Sequence, residues 1–278
     1  MRRFIAVTFG LGWAFQFAHP TSYFWLFAAM WAPALGALAE GFRPPPPALT
    51  AGRRISYWKS VWPVALWAAL LVVSTLPFQP VQPQAAPSHL MYLLTAPFMP
   101  AVVAFIGAFG EEYGWRGYLL PALAQRFGYF KASILVGVVW GFWHTPAILL
   151  GYEYGWSWRV EGVLLFVLPT ILLSLLHTAV YLQYGVWGAA LLHGAVNSWA
   201  PTYFMLYPQL LDERWLWGPV GLQGVATLIP VAWIVWKMYA RSVDKTPPQR
   251  PEHRPRREPR RMSRLEAGPS AGPYNWRM

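Results

Sequence analysis

Gly162–Leu182, GVLLFVLPTILLSLLHTAVYL, has no acidic or basic residue apart from one histidine. A bilayer-spanning helix needs about 20 mostly apolar residues, and this stretch meets that need. Working outward, Tyr57–Pro77, Leu90–Gly110, Ala132–Leu150, Val186–Leu206 and Gly218–Tyr239 read the same way. Two weaker segments, Phe4–Ala18 and Ser22–Ala39, precede them. The expectation is an all-α polytopic membrane protein of about eight transmembrane helices around an intramembrane polar cavity. Only 12% of residues are charged, against about 25% in soluble domains, which excludes an ordinary soluble fold.

The charges that exist are lopsided. With the N-terminus in the cytoplasm and eight alternating helices, 20 of the 22 Lys/Arg fall inside. Only Arg159 and Arg214 fall outside. That is the positive-inside bias, and an odd helix count would destroy it. Both termini are expected to be cytoplasmic. The net charge of +11 therefore reports topology, and no nucleic-acid partner is expected.

Met1-Arg2-Arg3 and the apolar run behind it could open a signal peptide, but no small-x-small cleavage site follows, so the run reads as an uncleaved first helix. Pro44–Pro47 reads as a rigid linker, and Phe78–Ser88, with Pro80, Pro83 and Pro87, as an extended outer loop. The membrane domain spans 1–243. Residues 244–278 are rich in Arg and Pro and cannot bury a core, so they read as a disordered cytoplasmic tail held near anionic headgroups. No cysteine is present, which removes thiolate nucleophiles, disulfides and Cys-ligated metals.

Ionisable side chains inside membrane helices are costly and are functional candidates by default. Here they are Glu111, Glu112 and Arg116 at the inner end of the fourth segment, His144 in the fifth, His177 in the sixth, and His193 with Asn197 in the seventh. Adjacent glutamates point about 100° apart on a helix. Arg116 stands four residues after Glu112, the spacing and polarity of a helical ion pair. Glu112 is thus expected to be neutralised by Arg116, leaving Glu111 without an intrahelical cation. His193 and Asn197 share a face. Pro146 removes the hydrogen bond to the carbonyl of Phe142 and is expected to kink the helix beside His144.

Each feature also has a bland reading. Glu112–Arg116 fits an interfacial pair, and His144 fits a histidine satisfied by a neighbouring helix. His177 has no helical polar partner and reads as structural. Trp140 and Trp143 read as packing or interface residues. The group is more informative than its members. A Glu and a His can hold and deprotonate a water, and a second His with an amide can donate to the oxyanion formed when that water attacks a carbonyl. Serine and HExxH zinc motifs are absent, and both aspartates, Asp212 and Asp244, lie outside the apolar segments.

EEYGWR at Glu111–Arg116 resembles the EExxxR motif of the type II CAAX prenyl endopeptidase and bacteriocin-processing family. WGFWH at Trp140–His144 resembles its FxxxH motif, with Trp for Phe, and HGAVN at His193–Asn197 resembles its HxxxN motif. The three stand in the family's order on separate segments, and the resemblance covers about residues 1–240. It implies a metal-independent glutamate-type intramembrane endopeptidase without cofactors. In it, Glu111 and His144 would activate water, His193 and Asn197 would form the oxyanion site, and Glu112 with Arg116 would support them. The partners expected are the lipid bilayer and a membrane-associated peptide or protein substrate. Three other readings stay open on sequence alone: an immunity factor or scaffold of the same family, a zinc hydrolase using Glu111, His144 and His193, and a transporter. Arg outnumbers Lys 18 to 4, which suggests a GC-rich genome and a bacterial plasma membrane, where prenylated substrates are not expected.

Overall fold

The structure, a computed structural model, describes residues 1–18, 22–44, 49–51, 54–78, 94–155, 157 and 159–240. The expected tail at 244–278, most of the outer loop at 78–88, the prolines at 45–47 and the first residues of the segment Leu90–Gly110 lie outside the described residues. Every regular element among the described residues is helical. They are α1 (Arg2–Ala18), α2 (Tyr23–Met30), α3 (Ala32–Ala39), α4 (Tyr57–Thr75), α5 (Met99–Val103), α6 (Phe109–Glu112), α7 (Leu120–Trp143), α8 (Thr145–Leu149), α9 (Val160–Trp199), α10 (Thr202–Leu206) and α11 (Leu222–Tyr239).

Two π-helical stretches, Ala104–Ala108 and Tyr113–Leu119, join α5 to α6 and α6 to α7. The path from Met99 is therefore one helical rod until Gly128, which leaves helical geometry at φ 74°. At about 1.5 Å per residue the rod is roughly 40 Å long, and the glutamates sit near its middle. The apolar run ends at Gly110 because the charges begin there, but the backbone does not stop with it. α9 likewise bends at Gly185, whose φ of 68° is open to glycine at little cost. It thereby divides into one rod over the expected Gly162–Leu182 and a shorter one that ends at Trp199, with α10 following over Thr202–Leu206.

α9 is the central pillar. It packs against α4, α5, α6, α7, α8, α11 and both π stretches. One close approach matters for the site: a Cβ on Gly194 would lie 2.1 Å from the carbonyl oxygen of Pro100. Only glycine lets α9 seat His193 against the rod that carries the glutamates. On the rod's other side, a Cβ on Gly114 would lie 2.4 Å from Cβ of Pro33, so α3 docks equally closely. Small residues at such contacts let backbones approach in apolar surroundings. Among the described residues, Tyr57–Thr75 and Val160–Leu206 are long and apolar enough to cross a membrane.

Candidate active site

The rod brings Glu111 and Glu112 to the centre of the molecule, 2% and 0% exposed. They lie between the two π stretches. Such bulges shift helical register and recur at functional sites. The two carboxylates have different surroundings.

Glu112 faces cations and imidazoles. Its Oε1 accepts from Arg116 Nη1 at 2.9 Å and from His193 Nδ1 at 2.8 Å. His177 Nε2 stands 4.0 Å from the same oxygen. Arg116 and His177 are fully buried. The sequence left His177 as structural because no residue on its own helix could partner it, and α9 instead carries it to Glu112. Its Nδ1 is 2.7 Å from the carbonyl of Leu173. A carbonyl only accepts, so Nδ1 donates there and Nε2 is the nitrogen turned to the carboxylate. Glu112 Oε2, His177 Nε2, and Arg116 Nε and Nη2 have no hydrogen-bond partner among the described residues.

Glu111 faces neutral donors. Its Oε2 accepts from the indole N–H groups of Trp140 at 2.7 Å and Trp115 at 3.2 Å. Trp140 therefore does more than the packing role read from sequence. Its ring lies under the Arg116 guanidinium at 4.8 Å and meets His193, His177 and His144 edge-on, with centroids 5.3, 5.6 and 5.9 Å away.

His144 occupies the break between α7 and α8. The helix is interrupted at His144 alone and resumes at Thr145, with Pro146 in the first turn of α8. His144 is partly exposed, and its Nδ1 donates to the carbonyl of Trp140 at 2.9 Å, leaving Nε2 with the lone pair. A helix break frees backbone groups that need partners. Gln16 of α1 supplies two of them: its amide donates to the carbonyl of Trp143 at 3.1 Å and accepts from the N–H of Ala147 at 3.2 Å. Trp13 Nε1 donates to the same carbonyl at 3.1 Å. Gln16 is 2% exposed. A lone buried glutamine in the weak first segment was the signal that the sequence reading passed over. Asn197 lies one turn beyond His193 on α9 and is exposed. Among the described residues no hydrogen bond joins His144 to Glu111 or Asn197 to His193.

Glu112, His177 and His193 offer ligand atoms within 4.8 Å of one another. One carboxylate and two imidazoles are a chemically sound zinc set. It is a different set from Glu111, His144 and His193, the set of the zinc-hydrolase alternative left open on sequence. Arg116 counts against it. Its guanidinium, 2.9 Å from Glu112 Oε1, would repel a dication held there, and the direct Glu112–His193 bond would also have to open.

Residues 93–199 match the family model described as "Type II CAAX prenyl endopeptidase Rce1-like". That segment contains Glu111, Glu112, Arg116, Trp140, His144, His177, His193 and Asn197. A 79-residue stretch is 37% identical to the CAAX prenyl protease 2 of Methanococcus maripaludis, covering 26% of this chain and 29% of that relative. The match thus spans less than a third of the relative's length. Through this segment the chain is similar to the Rce1-like type II CAAX prenyl endopeptidase family.

Proposed function

We propose that the chain is an intramembrane endopeptidase that hydrolyses a peptide bond with a water activated by Glu111 and His144. The observation that carries this is the asymmetry of the two carboxylates. Glu112 is fully buried, with Arg116 and His193 on one oxygen. Glu111 is clamped on one oxygen only, by neutral donors, and keeps slight exposure beside the partly exposed His144 and exposed Asn197. A general base needs an oxygen that can take a proton from a water; Glu112 Oε2 is also unpaired but fully buried beside Arg116, whereas Glu111 keeps slight exposure and no cation bonds it.

In this reading Glu111 removes a proton from water while the lone pair of His144 Nε2 holds that water by its second hydrogen. The resulting hydroxide adds to the scissile carbonyl. Glu112 fixes the Nδ1–H of His193, so its Nε2 is presented towards the cavity and, when protonated, donates to the oxyanion with Asn197. The proton taken by Glu111 passes to the leaving amine, which closes the proton balance. Arg116 keeps Glu112 ionised and in place.

The protein around the site spans the bilayer about eight times with both termini in the cytoplasm. The charge bias supports this count and orientation, and the two span-length helices among the described residues support membrane residence alone. The substrate is a membrane-associated peptide or protein. No metal takes part, a reading supported by Arg116 beside the Glu112–His177–His193 set, the convergent set among the described residues.

Two experiments test this. Mapping of protein termini in membranes of cells carrying wild type or Glu111→Gln should show cleavage products that depend on Glu111; identical terminus sets would refute the peptidase. Purified active chain should carry no stoichiometric zinc. Activity lost on chelation and restored by zinc would favour the Glu112–His177–His193 site instead.

A further inference from the structure

We infer that Trp140 is a positioning residue for the hydrolysis, acting through Glu111. This rests on the peptidase reading above. An indole N–H only donates, so the Trp140–Glu111 bond has one possible polarity. At 2.7 Å it is also the shorter of the two bonds to Glu111 Oε2, the Trp115 bond being 3.2 Å. Two donors converging on one oxygen stop the carboxylate from rotating about its last torsion. They leave Oε1 as the proton-accepting atom.

The same indole separates the two carboxylates. Two neighbouring carboxylates in one low-dielectric site normally compete, and one is forced to hold a proton. Here the Trp140 ring stands against Arg116 and His193, the groups that hold Glu112, while its N–H serves Glu111. Glu112 is given the charged Arg116 as a donor, and Glu111 is given neutral indole donors. A phenylalanine, the residue of the resembled motif at this position, is smaller than the indole and cannot donate. The clamp is therefore a property of this chain's own sequence, built from Trp140 and Trp115.

The test uses the full chain in nanodiscs and the substrate found by terminus mapping. Trp140→Phe should lower kcat about tenfold while KM stays within about twofold, because the lost bond orients the base and does not touch the substrate. Trp115→Phe should lower kcat less. A structural role alone would move KM and the melting temperature with kcat. A second measurement does not depend on turnover: in wild type Trp140→Phe should lower the melting temperature, whereas in a Glu111→Leu background it should leave it unchanged or raise it, since the indole N–H there has no acceptor. Unchanged kcat in an active enzyme overturns the positioning role. Equal melting shifts in both backgrounds overturn the clamp. A wild type that hydrolyses nothing overturns the peptidase reading and the positioning role with it, and the melting cycle still reports on the clamp separately.

Discussion

Glu112→Gln should damage the fold more than it damages any reacting group. Glu112 and Arg116 are both fully buried and 2.9 Å apart. Arg116 already has two nitrogens without partners among the described residues, so the bond to Glu112 is its main compensation. Removing that charge strands a guanidinium in the interior, which costs about 3–5 kcal/mol. His193 loses its anchor at the same stroke. For a domain of this size about 1 kcal/mol shifts the melting temperature by about 2–4 °C, so the fall should be roughly 6–20 °C. Arg116→Gln leaves the opposite charge stranded and should fall similarly. The double variant should be less destabilised than the sum of the two, because the residues share one interaction. The assay is thermal unfolding of the three variants and wild type in one detergent or nanodisc. A Glu112→Gln protein melting within about 2 °C of wild type would refute the reasoning, since the pair would then have to be solvated.

Three further outcomes follow from other parts of the structure. Gln16→Leu leaves the N–H of Ala147 unpaired at the helix break and should cost about 1–3 kcal/mol, with loss of turnover; unaltered melting would show that α1 does not secure His144. Gly194→Ala drives a Cβ into the carbonyl of Pro100 and should destabilise by about 1–3 kcal/mol as α9 moves off the rod, an effect absent at Gly10, which faces open space. Glu153, in the turn after α8 and outside the spans, is pushed up to about 7 by burial, with Arg214 acting in the opposite sense. Because the folded form holds its proton more tightly than the unfolded one, stability should fall between about pH 4.5 and 7 and level off above. Glu153→Gln should flatten that stretch of a melting-versus-pH curve, and an identical slope would show that the group is solvated.

Much of the site was open to sequence reasoning because local helical geometry governs it. The Glu112–Arg116 pair follows from a spacing of four, and the differing fates of adjacent glutamates follow from their 100° separation. What escaped depends on other helices. His177 has nothing polar on its own face, and Glu112 reaches it only because α9 packs against the rod. Trp140 reads as packing because an indole N–H needs a partner 29 residues earlier in the chain to matter. Gln16 secures a helix break 127 residues away. The position of the glutamates was misread as a helix end because hydropathy marks where apolar composition stops, whereas backbone hydrogen bonding continues through the charged turn.

The most direct test of the central claim is the turnover of Glu111→Gln, measured beside its melting curve, on a substrate found by terminus mapping. Glutamine keeps the shape and can still accept the indole hydrogen bonds, but it cannot take a proton from water. The account predicts a folded protein, close to wild type in melting temperature, with turnover lower by about 10²–10⁴-fold. Near-wild-type turnover by Glu111→Gln, with Glu112→Gln folded but inactive, would contradict it and assign the base to the other carboxylate.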